Sequence, residues 1–294
     1  MAVPLCASHP LPSLEYVIRD TGAQILLTTL EYRTFLEPLT ETTAVKIICL
    51  EDLRAEATPE TLLPQVSPDR RSMILYTSGT TSLPKGVVST HKNIQAQIEA
   101  LTEAWEWSAD DHILNVLPLH HVHGIVNILS CALWSGACCT FLPKFDAAEV
   151  WAHFEQDDLT LFMAVPTIYF KLITAFEQAD SASRQKMSDS CKKFRLMVSG
   201  SAALPISVLE KWQTISGHTL LERYGMTEIG MALSNSYRGE RRPGHVGLPL
   251  PGVEIRLVDE GNQVVETGQQ GEIQGKGATV FGAYWQKPEA TREA

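Results

Sequence analysis

Residues 76–91 read YTSGTTSLPKGVVSTH. Thr77, Ser78, Thr80 and Thr81 offer hydroxyls, Gly79 allows a tight bend, and Lys85 supplies one cation; together these are the donors a phosphate requires. The order is not that of a Walker A loop. Pro84 precedes Lys85 and Gly86 follows it, where that loop has Gly and then Ser or Thr. Pro84 also has no N–H to give. Any grip on phosphate here comes from side-chain hydroxyls and Lys85 rather than from a nest of amides. A Ser/Thr/Gly run is equally a description of a surface turn, so the neighbouring elements have to decide.

Those elements alternate. SLEYVIRDTG reads as a helix closed by Gly22, and QILLTT, VKIICL and MILYTS read as strands, the last leading into the Thr/Gly segment. THKNIQAQIEALTEAWEW reads as a helix with Thr90 as its N-cap. Strands at HILNVLPL, ACCTFLP, LTLFMAVP, FRLMVSG and HTLLERYG then alternate with helices at GIVNILSCALW, AAEVWAHFEQ, TIYFKLITAFEQ and PISVLEKWQTIS. Short continuous apolar strands between helices predict an α/β fold with parallel sheets covered by helices on both faces. QADSASRQKMSDS, at 178–190, is polar and weakly patterned and reads as a surface loop. After about residue 236, Gly and Pro punctuate short strands, which predicts a β-rich subdomain at 236–294 behind an α/β core at 1–235.

In an open α/β sheet, ligands sit beyond the carboxyl ends of the strands. Three segments fall there: the opening segment, VSGSAALP (198–205) and ERYGMTE (222–228). A nucleotide fits them jointly. Lys85 meets phosphate, small residues let a base lie against backbone, Tyr224 stacks, and Glu228 holds Mg²⁺ through an oxygen.

Composition narrows the classes. The chain has 294 residues, 44% of them hydrophobic and 20% charged, with a formal charge of −10. No basic cluster stands out, which argues against nucleic acid. The longest apolar runs are too short to span a bilayer. The six cysteines show no C-x-x-C spacing, which fits buried thiols better than a disulfide framework. The six tryptophans read as packing residues. No targeting signal is visible at the start.

With YTSGTTSLPKG, VSGSAALP, ERYGMTE and GHVGLPLPG in this order, the chain resembles the adenylate-forming superfamily over nearly its whole length. LPLHHVHG, FMAVPTIY, LMVSGSAALP and LLERYGMTEIGMALSN resemble its malonyl-CoA synthetases. The resemblance implies attack of a carboxylate on the α-phosphate of Mg·ATP, then displacement of AMP by CoA. ATP, Mg²⁺ and CoA are thus the implied cofactors, and a small carboxylic acid the implied partner. The resemblance implies β- and γ-phosphate contacts at Thr77, Ser78, Gly79, Thr80, Thr81 and Lys85. It implies adenine at Gly200, Ser201, Ala202 and Tyr224, within a nucleotide segment that also holds Glu222, Arg223, Gly225 and Met226. Thr227 would meet the α-phosphate and Glu228 the Mg²⁺, so that Lys85, Thr227 and Glu228 are the catalytic set. It further implies a mitochondrial setting, an N-terminal portion ahead of this stretch, and a mobile C-terminal lid domain that this stretch does not include. Ser82 departs from the family's usual Gly; in a left-handed conformation it would cost roughly 1–2 kcal/mol. The competing expectations are a synthetase for another short acid, and a remnant that binds nucleotide without turnover.

His120, His121 and His123 form a poor metal cage, because no Cys or carboxylate lies near them in sequence. They read as a strand-end cluster, and the resemblance puts His121 and His123 beside the acyl pocket. Arg195 and Ser199 share a strand face with Met197. A guanidinium there suits a second carboxylate, although the four-residue separation spans about 13 Å. The alternative is an Arg at the strand entrance paired with an acid. Arg223 is the second candidate for the pocket cation.

Overall fold

The computed structural model describes residues 1–53, 64–77 and 83–294. Ser78, Gly79, Thr80, Thr81 and Ser82, all singled out above, lie outside the described residues. The chain divides into two compact units, residues 1–88 with 283–294, and residues 89–282.

The first unit begins with α1 (Leu11–Thr21), which buries Leu14, Val17 and Ile18 at helical spacing and ends at Gly22 in the left-handed conformation (φ 64°). Strands β1 (Ile25–Thr28) and β2 (Lys46–Cys49) pair in parallel, with α2 (Leu30–Leu36) and α3 (Pro38–Thr43) between them in sequence. Leu14, Ile18, Leu36, Leu39 and Val45 form the core of this part. Next come β3 (Arg71–Thr77) and β4 (Lys85–Thr90), which join the strand Ala283–Tyr284 in a three-stranded sheet. Thr77 therefore ends one strand and Lys85 begins the next. Helix Pro288–Glu293 closes the chain.

In the second unit α4 (His91–Ala104) starts on a reciprocal cap. The Asn93 N–H donates to Thr90 Oγ1 (3.1 Å), and the Thr90 N–H donates to Asn93 Oδ1 (2.9 Å). There follow β5 (His112–Asn115), a π-helix (His123–Ser130) running into α5 (Cys131–Ser135), and β6 (Cys138–Phe141). Then come α6 (Ala147–Gln156), β7 (Leu161–Ala164), α7 (Pro166–Gln178), α8 (Ser181–Cys191), β8 (Leu196–Ser199) and α9 (Ile206–Ser216). Strands β9 (Leu221–Met226), β10 (Gly230–Ser234) and β11 (Leu248–Pro249) complete a seven-stranded sheet in the order β11-β10-β9-β8-β7-β5-β6. β9, β8, β7, β5 and β6 run parallel, whereas β10 and β11 are antiparallel additions. Every residue of β7 and β8 is buried, the burial expected of strands covered on both faces. Beyond the sheet, β12 (Val253–Val258) and β13 (Glu272–Gly277) form an antiparallel ribbon.

Three sequence expectations are corrected. The polar stretch at 178–190 is helical: α8 covers Ser181–Cys191 and is capped by Asp180, whose Oδ1 accepts from Ala182 and Ser183 N–H. It reads as a loop because Cys191 is its one buried residue. Trp105, Trp107, Trp151 and Trp212 are core residues, but Trp134 is 55% exposed and packs no core. The stretch expected as one helix from Gly124 is π-helical over its first half, starting at His123.

Arg195 precedes β8, at the amino end of the sheet. Its Nε and Nη2 each donate to the Asp111 carboxylate at 2.6 Å, and Nη1 and Nη2 donate to the carbonyls of Trp105 and Glu106. The Asp111 side chain is 2% exposed. Burial pushes its pKa up, but the Arg195 bonds, the Ser108 N–H and the Thr160 hydroxyl more than offset this and hold it below the usual carboxylate range. This carboxylate therefore contributes stability above about pH 4, and the contribution fades as pH falls through its depressed pKa. Arg195→Leu should cost about 3–5 kcal/mol at neutral pH, because it leaves Asp111 buried and unpaired. The deficit should narrow below pH 4, where Asp111 in the variant takes a proton. Urea unfolding at pH 7 and pH 3.5 measures both values.

Candidate functional site

Because β5, β7, β8 and β9 run parallel, the segments that follow them leave the same edge of the sheet. After β5 comes LPLHHVHG, after β8 comes GSAALP, and after β9 comes the tight turn Thr227–Ile229 into β10. The register pairs Val198 with Leu221 and Ser199 with Glu222. Arg223 is thereby placed one residue beyond Ser199, at the level of the Gly200 turn.

The Arg223 side chain lies directly on Gly200. A Cβ on Gly200 would come within 2.4 Å of Arg223 Nε and 2.6 Å of Cζ, so a side chain there would have to displace the guanidinium. Arg223 Nη2 donates to Ser201 Oγ at 3.2 Å. On its other side Ser201 Oγ is 3.2 Å from His123 Nδ1, which links the first turn of the π-helix to the guanidinium. Ser201 holds this position with φ +66°, a left-handed backbone that a non-glycine residue takes only where its surroundings enforce it.

The electrostatics of this group are unusual. Arg223 is 4% exposed, and no described acid forms an ion pair with it. Burial lowers its pKa to about 9. Its Nε, His123 Nε2 and Ser199 Oγ are all buried without a hydrogen-bond partner. Burial first, and then the Arg223 charge and His121, lower the His123 pKa well below the usual histidine value, so this imidazole is neutral at pH 7. A buried cation beside unpartnered polar atoms leaves hydrogen-bonding capacity unmet within the described residues.

The other sequence candidates are distributed as follows. Thr227 and Glu228 form the turn of the β9–β10 hairpin, and the Glu228 carbonyl accepts from Phe281 N–H at 2.7 Å. Gly225 lies against the opposite strand, where a Cβ would meet Gly230 O at 2.2 Å. Tyr224 is half-buried, and Met226 and Ala202 are exposed. His121 is exposed and stacks at a tilt on His120, with ring centroids 4.3 Å apart. Glu222 alternates to the other side of the strand from Arg223, and its carboxylate accepts from Gly244 N–H at 2.8 Å. It holds a turn there rather than facing the Gly200 group. Arg195 does not join the site, being bound to Asp111 at the far end of β8. Thr77 and Lys85 belong to the first unit, where the Lys85 ammonium sits 5.1 Å above the Tyr284 ring. Among the described residues, no group of three or more His, Cys, Asp or Glu converges as a metal cage. The sequence reading did not foresee β10, whose hairpin fixes Thr227 and Glu228; the left-handed Gly230 (φ +66°) at its start was the available signal.

These strand-end turns sit on a parallel-rich α/β sheet. The chain belongs to the AMP-binding enzyme family, whose sequence profile matches residues 1–285. It is 46% identical to malonate–CoA ligase ACSF3, mitochondrial, from Xenopus laevis, over all of this chain and 57% of that protein. In structure it is similar to ATP-bound MatB from Rhodopseudomonas palustris (TM-score 0.88, 32% identity, 99% of this chain and 58% of that one). It is also similar to a malonyl-CoA ligase in a ternary product complex with methylmalonyl-CoA and AMP (TM-score 0.87, 32% identity, 100% and 60%). The chain thus spans somewhat more than half the length of these relatives. Among the described residues, no helix is long and apolar enough to cross a membrane.

Gly200→Ala should force the Arg223 guanidinium off its seat and cost about 1–3 kcal/mol by overpacking. Equal urea midpoints for variant and parent would show that the guanidinium has room to move.

Proposed function

We propose that the chain is the substrate-activating part of an ATP-dependent malonate–CoA ligase. The carrying observation is the buried Arg223, which pairs with no acid among the described residues, with Ser201 and His123 at the carboxyl edge of the sheet. Malonate has two carboxylates. One must react; the other has to be taken out of water, and a guanidinium with a spare Nε–H matches it. The names of the relatives support the same acid. The mitochondrial label of the Xenopus protein supports a mitochondrial setting.

In the reaction, an oxygen of the free carboxylate attacks the α-phosphorus of ATP and pyrophosphate leaves, giving malonyl-AMP. The CoA thiolate then attacks the acyl carbon and AMP leaves with the bonding pair. Arg223, Ser201 and neutral His123 orient the acid through its distal carboxylate, so the other end is held for attack. Thr227 meets the α-phosphate, and Thr77 with Lys85 neutralises the leaving pyrophosphate. Glu228, an acid at a hairpin turn, suits Mg²⁺, which is ordinarily bound by one or two carboxylates together with substrate phosphates. Bound there, the ion would offset phosphate charge. Gly200, Ser201, Ala202 and Tyr224 border the adenine, and the α/β core to residue 235 carries these groups ahead of the β-rich stretch from 236.

The test is calorimetric binding of malonate and acetate, with ATP–pyrophosphate exchange driven by each acid. Arg223→Leu should weaken malonate at least 100-fold, as expected for loss of a buried charge partner worth about 3–5 kcal/mol, and leave acetate within threefold. Equal losses for both acids would refute the assignment. Glu228→Ala should raise the Mg²⁺ needed for half-maximal exchange; an unchanged requirement would move the ion elsewhere.

A further inference from the structure

The last two turns of α1 are bonded to the residues flanking the Thr/Gly segment. Tyr76, adjacent to Thr77, donates its hydroxyl to Asp20 Oδ2 at 2.5 Å. Tyr16, one turn earlier on α1, donates its hydroxyl to the carbonyl of Pro84, adjacent to Lys85, at 2.9 Å. The Tyr16 and Tyr76 rings meet edge to face, with centroids 6.2 Å apart. The Asp20 carbonyl accepts from Trp285 Nε1 (2.8 Å), and Trp285 N–H donates to Gly86 O (2.7 Å). Gly86 leaves no slack: a Cβ there would lie 2.8 Å from Ile74 Cγ2 and 3.1 Å from Tyr76 Cζ.

Helical spacing explains the arrangement. Residues four apart lie on one face about one turn from each other, so Tyr16 and Asp20 present two anchor points side by side. One anchors the exit of β3 and the other the entry to β4. Neither hydroxyl belongs to the apolar cluster of Leu14, Ile18, Leu36, Leu39 and Val45 against which α1 packs. Burial and the Asp20 bond both raise the Tyr76 pKa, so the phenol keeps its proton as a donor throughout the working pH range.

We infer that Tyr16, Asp20 and Tyr76 are positioning residues for the triphosphate: through one face of α1 they fix Thr77 and Lys85 relative to each other. None of the three touches the nucleotide in this account. The inference rests on the phosphate role proposed for Thr77 and Lys85.

The test uses the whole chain and three readouts: Mg·ATP affinity by calorimetry, malonate affinity by calorimetry, and the thermal midpoint. Tyr76→Phe removes one hydroxyl, and Tyr16→Phe another. Asp20→Leu removes the acceptor, while Asp20→Asn keeps an acceptor oxygen. Tyr76→Phe and Asp20→Leu should each weaken Mg·ATP about tenfold, the effect of one lost hydrogen bond to a charged group, and leave malonate within twofold. Asp20→Asn should restore Mg·ATP affinity to within threefold of the parent. If Asp20→Leu does not fold, the two Phe variants and Asp20→Asn carry the comparison. If the parent binds Mg·ATP and the Phe variants bind it equally well, the clamp is wrong and the phosphate assignment stands. If affinities for both ligands fall together with the thermal midpoint, the contacts are structural only and the clamp is again wrong. If the parent binds no Mg·ATP, the phosphate assignment fails and takes the clamp with it.

Discussion

Moving a guanidinium out of water costs several kcal/mol even after the protein relaxes, and the usual remedy is an acid within hydrogen-bonding reach. Arg195 has that remedy in Asp111. Arg223 does not. The contrast between these two arginines, at opposite ends of adjacent strands, organises the second unit. At the amino edge of the sheet, charge is matched and the network is closed. At the carboxyl edge one positive charge is left over, among polar atoms that no described residue satisfies. A site of that kind is less stable empty than filled, and the ligand that fills it best is an anion small enough to reach it.

The fold makes the leftover charge possible. Parallel pairing of β8 with β9 sets Arg223 beside the Gly200 turn, and the missing side chain at Gly200 gives the guanidinium a flat seat. The strained Ser201 bridges it to His123, which the π-helix supplies from the other side of the same edge. π-Helical turns are rare and concentrate at functional sites, and this one begins at the histidine concerned. His123 stays neutral chiefly because it is buried, and further because a cation lies beside it. The site therefore carries one positive charge rather than two, which matches a single distal carboxylate.

Much of this was legible in the sequence, and the failures have physical causes. Helices with sharp ends were read correctly: Gly22 closes α1 and Thr90 caps α4. Continuous apolar runs gave β5, β7 and β8, because strands buried on both faces have no polar residues to confuse them. α8 was lost because it is polar almost throughout, although Asp180 offered its cap. The first half of the stretch from Gly124 read simply as helix, since hydrophobic spacing hardly distinguishes α from π. Arg195 drew attention as a cation on the right strand face, but alternation along a strand says nothing about which end of the sheet a residue serves. Its true partner, Asp111, lies 84 positions away. Ser199, Gly200, Ser201 and Arg223 were legible as motif residues. The charge imbalance among them was not, because it depends on which acids fail to reach Arg223.

The central claim is that the unpartnered Arg223 Nε–H receives the second carboxylate of the substrate. Nitrogen-15 NMR of arginine-labelled protein observes that group directly, with Arg223→Lys to assign the signal. Addition of malonate should shift the Arg223 Nε–H resonance downfield and slow its exchange with water, while acetate at equal saturation should leave it in place. A resonance that responds equally to both acids, or to neither while malonate binds, would contradict the account.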